Sequence, residues 1–329
     1  MRAILRGLLT ALLVATFPAQ AQKVHRVAFV ATSGPLEELL SADSPVPKGL
    51  RQGFRALGYV EGKNLIFEWR SAEGKLERLP EIMRELLGIK VDVIVTSSNP
   101  VTQAAKNATR TVPIVMFASN PVEDGLVQSL ARPGGNITGL AMSTGPENLV
   151  KQVQLLKEIF PNITRVAFLT TKVGWDIYWK EGREEAARVL GVKFLFAEHT
   201  FGTGLEHYGG AFALIARERP QALLVGLSPA NFANRQMIID FAAKNALPAA
   251  YPMRDFVDAG GLIAQGVDLI EFSRRAAEYC DQIFKGAKPA NLPVERPAKF
   301  ELVINLKTAK ALGVAIPPSV LVRADHIIQ

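Results

Sequence analysis

RVAFVATS, residues 26–33, and RVAFLTTK, residues 165–172, are nearly the same segment in different halves of the chain. Both are runs of β-branched and aromatic residues that end in hydroxyl side chains, a pattern typical of short buried strands. Each is followed by a helical segment that closes on Leu-Gly, RQGFRALGY at 51–59 and REEAARVLGV at 183–192. This repeat predicts two lobes that begin with the same local topology.

The two halves continue in parallel. The strand candidate VDVIVTSSNP (91–100) corresponds to ALLVGLSPA (222–230), and in both a corner of polar residues and proline opens a helix. A further strand candidate follows a proline in each half, VPIVMFAS (112–119) and LPAAYPM (247–253). Strands that alternate with helices of this size imply βαβ units and a parallel sheet. The sequence therefore predicts an α/β protein with two doubly wound, Rossmann-like lobes.

The segment RPGGNITGL (132–140) has the turn chemistry expected of a boundary between the two series. After the second series, the strand candidate GLIAQG (261–266), an amphipathic helix and a proline-rich crossing lead to a last strand and helix. Several crossings between lobes make a hinge. The predicted N-terminal lobe comprises residues 22–138 and about 256–290, and the C-terminal lobe comprises residues 139–255 and about 291–329.

The first 21 residues have the pattern of a secretory signal peptide. Arg2 and Arg6 form a basic start, residues 8–17 an apolar core, and Ala19-Gln20-Ala21 a cleavage site of small residues. Because ten apolar residues are too few to span ~30 Å of hydrocarbon, we expect cleavage after Ala21 and not an anchor. The mature chain is expected in the periplasm, not inserted in a membrane.

Composition argues against several other kinds of site. The formal charge is +7, or +5 without Arg2 and Arg6, and the basic residues are scattered, so no nucleic-acid surface is predicted. Cys280 is the only cysteine, so no intrachain disulfide is possible. There is no GxGxxG after the first strand, no phosphate loop and no GxSxG elbow. No cofactor or metal site is predicted, and the histidines are expected on the surface: His25, His199, His207 and His326.

Polar residues recur where the predicted strands end. In open α/β sheets, ligands bind outside the carboxyl ends of the strands. Hydroxyls and amides without an acid–base pair suit a binding cleft better than a hydrolase. Ser and Asn are also preferred helix N-caps, so capping is the alternative for any single corner. The strand ends carry Thr32-Ser33, Ser97-Ser98-Asn99, Ser119-Asn120, Thr170-Thr171 and Ser228.

Three longer segments resemble one family: GYVEGKNLIFEWRSAEG (58–74), NPVEDGLVQSLARPGGNITGL (120–140) and PAKFELVINLKTAKALGVAIPPSVLVRAD (297–325). They are similar to the substrate-binding component of ABC transporters of the tryptophan/tyrosine-type uptake group, from about Val24 to the C-terminus. The resemblance implies a type I periplasmic-binding-protein fold, normally a monomer, whose lobes close over a small amphiphilic ligand. It also implies delivery to a permease with a separate ATPase, and no chemistry on the ligand.

The resemblance implies roles for residues of the first lobe. The segment 97–101, Ser-Ser-Asn-Pro-Val, matches the part of the family that holds a ligand carboxylate, which suits a helix N-terminus because its N–H groups and dipole favour an anion. Members that bind amino acids commonly have Asp-Pro-Val where this chain has Asn120-Pro121-Val122. An asparagine offers a dipole and not a charge, so a carboxylate without an amine stays open beside an α-amino acid.

The second lobe is expected to supply the lid of the cleft. Trp175, Tyr178, Phe232 and Tyr251 are candidates for stacking on an apolar or aromatic ligand, with packing in the lobe core as the alternative for each. Arg254 is a candidate cation or a surface residue. The predicted ligand contacts are Thr32, Ser33, Ser97, Ser98, Asn99, Val101, Ser119, Asn120, Thr171, Trp175, Ser228, Phe232, Tyr251 and Gly266, the last because a glycine lets backbone approach a ligand.

The leading functional prediction is a periplasmic solute-binding component of an ABC importer, for an amino acid or a related aromatic or branched carboxylate. A ligand sensor that signals to a separate receptor is the alternative on the same fold. An exported enzyme is a third possibility, and it would need a general base in the cleft. Glu123, Asp124 and Asp255 are the only nearby acids that could serve as that base.

Overall fold

The structure, a computed structural model, describes residues 23–41, 44–142, 146–202, 204–297 and 300–329. The predicted signal peptide and its cleavage site lie outside the described residues. Among the helices described, none has the length and apolar character needed to cross a membrane.

The described strands and helices alternate along most of the chain. In chain order the strands are β1 (His25–Ala31), β2 (Leu65–Ser71), β3 (Val93–Thr96), β4 (Ile114–Ala118), β5 (Ile137–Ala141), β6 (Arg165–Thr170), β7 (Lys193–Glu198), β8 (Ala222–Val225), β9 (Ala249–Tyr251), β10 (Ile263–Val267), β11 (Phe300–Asn305) and β12 (His326–Ile328). The α-helices are α1 (Leu36–Leu39), α2 (Pro45–Ala56), α3 (Leu79–Gly88), α4 (Asn99–Ala108), α5 (Pro146–Ile159), α6 (Lys180–Leu190), α7 (Leu205–Glu218), α8 (Pro229–Ala233), α9 (Arg235–Lys244), α10 (Arg254–Asp258), α11 (Leu269–Phe284), α12 (Leu306–Ala311) and α13 (Pro318–Leu321). Leu76–Arg78 and Pro289–Asn291 are 3-10 turns, and Gly174–Tyr178 is a π-helical turn.

The first sheet has the order β2-β1-β3-β4-β5, and its pairs are all parallel. Apart from the edge strand β2, its strands are buried on both faces, as expected for a parallel sheet covered by helices. In β1, Val27 and Phe29 pack with α2 and α11, whereas Ala28 and Val30 face α3 and α4. This alternation explains why the segment RVAFVATS is an almost continuous apolar run.

The second sheet has the order β12-β11-β10-β9-β8-β6-β7. Within it, β7-β6-β8-β9-β10 repeats the order of the first sheet, and only the pair β10–β11 is antiparallel. Helices α7 and α9 cover one face of this sheet, and α5, α12 and α13 cover the other. The predicted α/β class with two parallel-sheet lobes is confirmed.

The stretch from about 256 to 290, which the sequence assigned to the N-terminal lobe, is divided between the two lobes. Strand β10 lies in the second sheet because it pairs with β9 and β11. Helix α11 crosses to the first lobe, where it packs closely on α2. Gly49 and Gly53 of α2 permit this approach, since a Cβ atom on Gly49 would lie 2.4 Å from the carbonyl oxygen of Ile270. The packing partner of α11, and not its place in the chain, decides its lobe.

The described chain passes between the lobes at three places: after β5, between β10 and α11, and after α11. On the last passage Glu295 forms a β-bridge with Leu140 of β5. This bridge places the last passage beside β5, and the carboxyl ends of both sheets line one cleft.

Candidate ligand-binding site

A cleft of about 1030 Å³ lies between the two lobes, at the carboxyl ends of the strands of both sheets. Its walls come from the ends of β1, β3 and β4 in the first lobe and of β6, β7 and β8 in the second. Ten of the fourteen predicted contact residues line it: Thr32, Ser33, Ser97, Ser98, Asn99, Ser119, Asn120, Thr171, Ser228 and Phe232. Contact of these residues with a ligand stays a prediction.

Three hydroxyl groups are joined at the corner between β3 and α4. The N–H of Thr32 donates to Ser97 Oγ at 3.0 Å, and Thr32 Oγ1 is hydrogen-bonded to the hydroxyl of Ser98. Ser98 is the N-cap residue of α4, but its side chain makes no capping bond to the helix. The first N–H groups of a helix have no partner within the helix, so an uncapped N-terminus is a site for an anion.

Asn99 connects this corner to the loop after β4. Its Oδ1 accepts the N–H of Ser119 at 2.8 Å, and its Nδ2 donates to the Ser119 carbonyl and to the carboxylate of Asp124. Asn120 has a left-handed backbone (φ 47°), and its carbonyl oxygen accepts the N–H of Asp124 at 3.1 Å. The side-chain amide of Asn99 therefore holds the loop, and Asp124 is brought back beside the start of α4.

Three side-chain contacts bridge the lobes around the cleft. Tyr178 donates its hydroxyl to Asp124, at 2.9 Å from Oδ2, and Ser33 Oγ donates to the carbonyl oxygen of Pro229 at 3.1 Å. Arg235 pairs with Glu38 at 2.8 Å on the surface. Burial, with the Asp124 carboxylate, raises the pKa of Tyr178 above its ordinary value. The phenol is thus a stable donor to the opposite lobe.

The rest of the lining combines apolar side chains with an excess of acidic ones. The apolar part includes Phe29, Phe117, Met142, Trp179, Leu227, Phe232, Met253 and Leu269. The acidic side chains are Glu123, Asp124, Glu147, Glu181 and Glu198, against the cations Lys172 and Arg296. A largely apolar cavity with a few fixed polar groups suits a small amphiphilic ligand.

Four predicted contact residues are not part of this lining. Val101 is fully buried in the core beneath α4, and Tyr251 is buried with its ring stacked on Phe256. Trp175 stacks on Phe196 at 4.7 Å with the guanidinium of Arg183 on its ring. Trp175 and Tyr251 therefore pack within the second lobe, which was the alternative to ligand contact for both.

Gly266, the fourth of them, is needed for a contact between strands. A Cβ atom there would lie 1.7 Å from the Pro252 carbonyl oxygen, so the backbone that approaches Gly266 belongs to this chain. Arg254 pairs with Asp258 at 3.0 Å, an ion pair within the short helix α10. Neither residue faces the cleft.

The prediction of surface histidines is wrong for His25 and His199. His199 lies at the end of β7, where its ring stacks on Tyr208 at 4.8 Å and its side chain is buried. Burial lowers the pKa of His199 to about 4. His25 stacks on Phe284 at the start of β1. Among the residues described, no group of three or more His, Cys, Asp or Glu side chains is arranged to hold a metal ion.

Tyr178 and Asp124 make a contact with each other that the sequence did not predict. Tyr178 was a stacking candidate, and Asp124 a candidate base, but they are hydrogen-bonded across the cleft. Trp179 and Met142 also line the cleft and were not predicted from the sequence. The position of Trp179 next to Tyr178, in an aromatic-rich turn after a strand, is the signal that could have identified it.

Known proteins with this arrangement were found at the levels of family, sequence and fold. The family model for ABC transporter substrate binding proteins matches residues 39–173 and 218–328. The tyrosine-binding protein of Clostridioides difficile is 26% identical over 268 residues, which cover 80% of this chain and 75% of that protein.

Two solved structures share the fold over 93% of this chain and all of their own. The crystal structure of a conserved domain protein from Vibrio cholerae has a TM-score of 0.82 and 28% sequence identity. The structure of the ABC domain in complex with L-Trp from Streptococcus pneumonia has a TM-score of 0.80 and 22% identity. This likeness confirms the predicted type I periplasmic-binding-protein architecture.

Proposed function

The chain belongs to the family of ABC transporter substrate-binding proteins, and from this premise we propose that it captures a small carboxylate ligand between its lobes and delivers it to a membrane permease. The ligand class is an amino acid or a related aromatic or branched carboxylate. The observation that carries the proposal is the uncapped N-terminus of α4 beside the hydroxyls of Thr32, Ser97 and Ser98.

The N-terminus of α4 is suited to the anionic group of the ligand. Unpaired N–H groups and the macrodipole make a helix N-terminus attractive to a carboxylate, by about 0.3–1 kcal/mol for the dipole alone. Ser97 is half-buried and lies 3.0 Å from the Thr32 N–H, so its hydroxyl is held in place at this corner. Fixed donors cost less conformational entropy on binding than mobile ones. The aromatic and aliphatic lining then suits the apolar body of the ligand.

The relatives support an amino-acid ligand with an aromatic side chain. One sequence relative is named a tyrosine-binding protein, and one solved structure contains L-Trp. The family further supports a periplasmic location and work with a permease and a separate ATPase. Asp255 does not line the cleft, so one of the three candidate general bases is placed poorly for catalysis.

The test is thermal unfolding and calorimetric titration of residues 22–329 against L-amino acids, their amine-free carboxylate analogues, nucleosides and sugars. A ligand that binds only the folded state stabilises it by RT ln(1 + [L]/Kd), about 2.7 kcal/mol at a hundredfold excess over Kd. We expect the melting temperature to rise with carboxylates. A rise with nucleosides or sugars alone would overturn the proposal.

A further inference from the structure

Asp124 is the cleft carboxylate that is best protected from solvent, and none of its partners among the described residues is a cation. The other four acidic residues of the lining are exposed, whereas Asp124 is half-buried. Its hydrogen-bond donors are the Tyr178 hydroxyl and the Asn99 amide, which are both neutral. Among the described residues it takes part in no ion pair. A carboxylate offers about four acceptor positions, so two neutral donors leave room for a cationic one.

The start of α4 and Asp124 form two opposite poles that one side chain joins. Asn99 is the first residue of α4, and its amide nitrogen donates to the Asp124 carboxylate. The N-terminus of α4 favours negative charge, and the Asp124 carboxylate favours positive charge. A ligand that fits both must carry an anionic and a cationic group close together.

We propose that Asp124 binds the ammonium group of the ligand, and that the ligand is therefore an α-amino acid and not an amine-free carboxylate. This inference rests on the proposed function and deepens it. An α-amino acid carries its carboxylate and its ammonium group on one carbon atom, which matches the two adjacent poles. Hydrogen bonds between charged groups are roughly twice as strong as neutral ones.

The loop after β4 explains why the charge lies at position 124. Asn120, at the strand end itself, contributes no charge, and its carbonyl oxygen accepts the N–H of Asp124 at 3.1 Å. The left-handed conformation of Asn120 folds the chain back. The carboxylate four residues further on thereby reaches the edge of the sheet, where Tyr178 of the second lobe also contacts it. Closure of the lobes would bury the ion pair.

The experiment compares ligands that differ only in the amine. L-tyrosine is paired with 3-(4-hydroxyphenyl)propanoate, and L-leucine with 4-methylpentanoate, in calorimetric titrations of residues 22–329. We expect the wild-type chain to bind the amine-bearing member about 10- to 100-fold more tightly. Asp124→Asn keeps the shape and an acceptor oxygen, and should abolish most of this preference while leaving the amine-free member nearly unchanged.

Two further variants separate a direct contact from other effects. Glu123→Gln removes the neighbouring, exposed charge, and should retain the preference for the amine. Tyr178→Phe removes a hydrogen-bond donor to Asp124 without removing the charge of Asp124. It should lower the affinity for both ligands of a pair by the same factor. The melting temperature of each variant without ligand checks that it is folded.

Each outcome decides a different point. Equal affinities of the wild-type chain for both members of every pair would overturn the inference and leave the proposed function intact. A loss of preference in Glu123→Gln as large as in Asp124→Asn would also overturn it, because the general field of the cleft would then be responsible. If the wild-type chain bound none of the four carboxylates and its melting temperature rose with nucleosides or sugars alone, the proposed function would fail together with the inference.

Discussion

The corners that open α4 in the first lobe and α8 in the second carry the same local signals but use them differently. Each has an N-cap serine in extended conformation, Ser98 or Ser228, and a proline in the first turn. Ser228 Oγ accepts the N–H of Asn231 at 3.0 Å, so α8 is capped by its own chain. The hydroxyl of Ser98 is bonded to Thr32, and α4 is left without a side-chain cap.

The cause of the difference lies one strand away. Thr32 and Thr171 occupy matching places in RVAFVATS and RVAFLTTK. Thr171 Oγ1 accepts the N–H of Gly174 at 3.1 Å, because the chain turns at once into Gly174–Tyr178. Thr32 has no such turn and reaches the α4 corner instead. One lobe therefore offers an open helix end to an anion, and the other closes its own.

The largest expected effect concerns the helix that the first lobe has acquired, α11. Gly49→Ala places a Cβ atom 2.4 Å from the Ile270 carbonyl oxygen, which belongs to the backbone and cannot move aside as a flexible side chain would. We expect the free energy of unfolding to fall by about 1–3 kcal/mol. Urea denaturation measures this change.

Gly88→Ala is the matched control for this glycine. Gly88 also lies in a helix, α3, but a Cβ atom there meets nothing within 4 Å. Alanine is the better helix former by about 1 kcal/mol, so this variant should be neutral or slightly stabilised. If Gly49→Ala were tolerated as well as Gly88→Ala, the close packing of α2 on α11 would be disproved.

The next effect is a pH dependence at the end of β7 in the second lobe. The folded state lowers the pKa of His199 from 6.5 to about 4 by burial, so protons bind more readily to the unfolded chain. The contribution to stability is complete above pH 6.5 and is lost as the pH falls from about 6.5 toward 4. Linkage gives a loss of roughly 2 kcal/mol between pH 7 and pH 5.

His199→Asn removes the titrating ring and leaves a side chain able to donate to the Thr200 carbonyl, the present partner of Nδ1. The difference in stability between pH 7 and pH 5, measured by urea denaturation, should be smaller in this variant than in the wild-type chain. Equal pH dependence in the variant and the wild-type chain would contradict the burial of His199.

A third prediction separates the two serine caps. Ser228→Ala removes the capping acceptor of α8, and should lower the free energy of unfolding by about 1 kcal/mol. Ser98→Ala removes no cap, and should instead weaken ligand binding about two- to tenfold through the lost hydroxyl. Urea denaturation and titration with L-tyrosine measure the two effects. Equal losses of affinity for L-tyrosine in both variants would show that the two corners are used alike.

The sequence was sufficient to predict most of the strands, the repeat and the polar corners, because these depend on local periodicity and on the placing of hydroxyls and prolines. It did not predict β12, and it placed most of β5 in the boundary segment 132–140, because the turn residues there precede the strand directly. It could not decide between core and cleft for Trp175 and Tyr251, since a residue near a strand end can turn either way. The bond between Asn99 and Asp124 joins two loops and follows from the turn at Asn120. Such contacts depend on tertiary packing, which residue spacing does not reveal.

The smallest expected effect concerns the hydrogen bond between the lobes at Tyr178. Tyr178 of the second lobe donates to Asp124 of the first at 2.9 Å, so Tyr178→Phe should remove one bond from the bridged arrangement. A hydrogen bond of this kind contributes about 0.5–1.5 kcal/mol net, or more to a charged acceptor. Stopped-flow measurements should show ligand dissociating about three- to tenfold faster, with the association rate little changed, because affinity differences between related complexes lie mostly in dissociation.

Tyr59→Phe loses a similar bond, from its hydroxyl to Asp281 at 3.0 Å, but within the first lobe. It should leave dissociation unchanged, and an equal acceleration in both variants would mean that the loss is one of general stability and not of contact between the lobes.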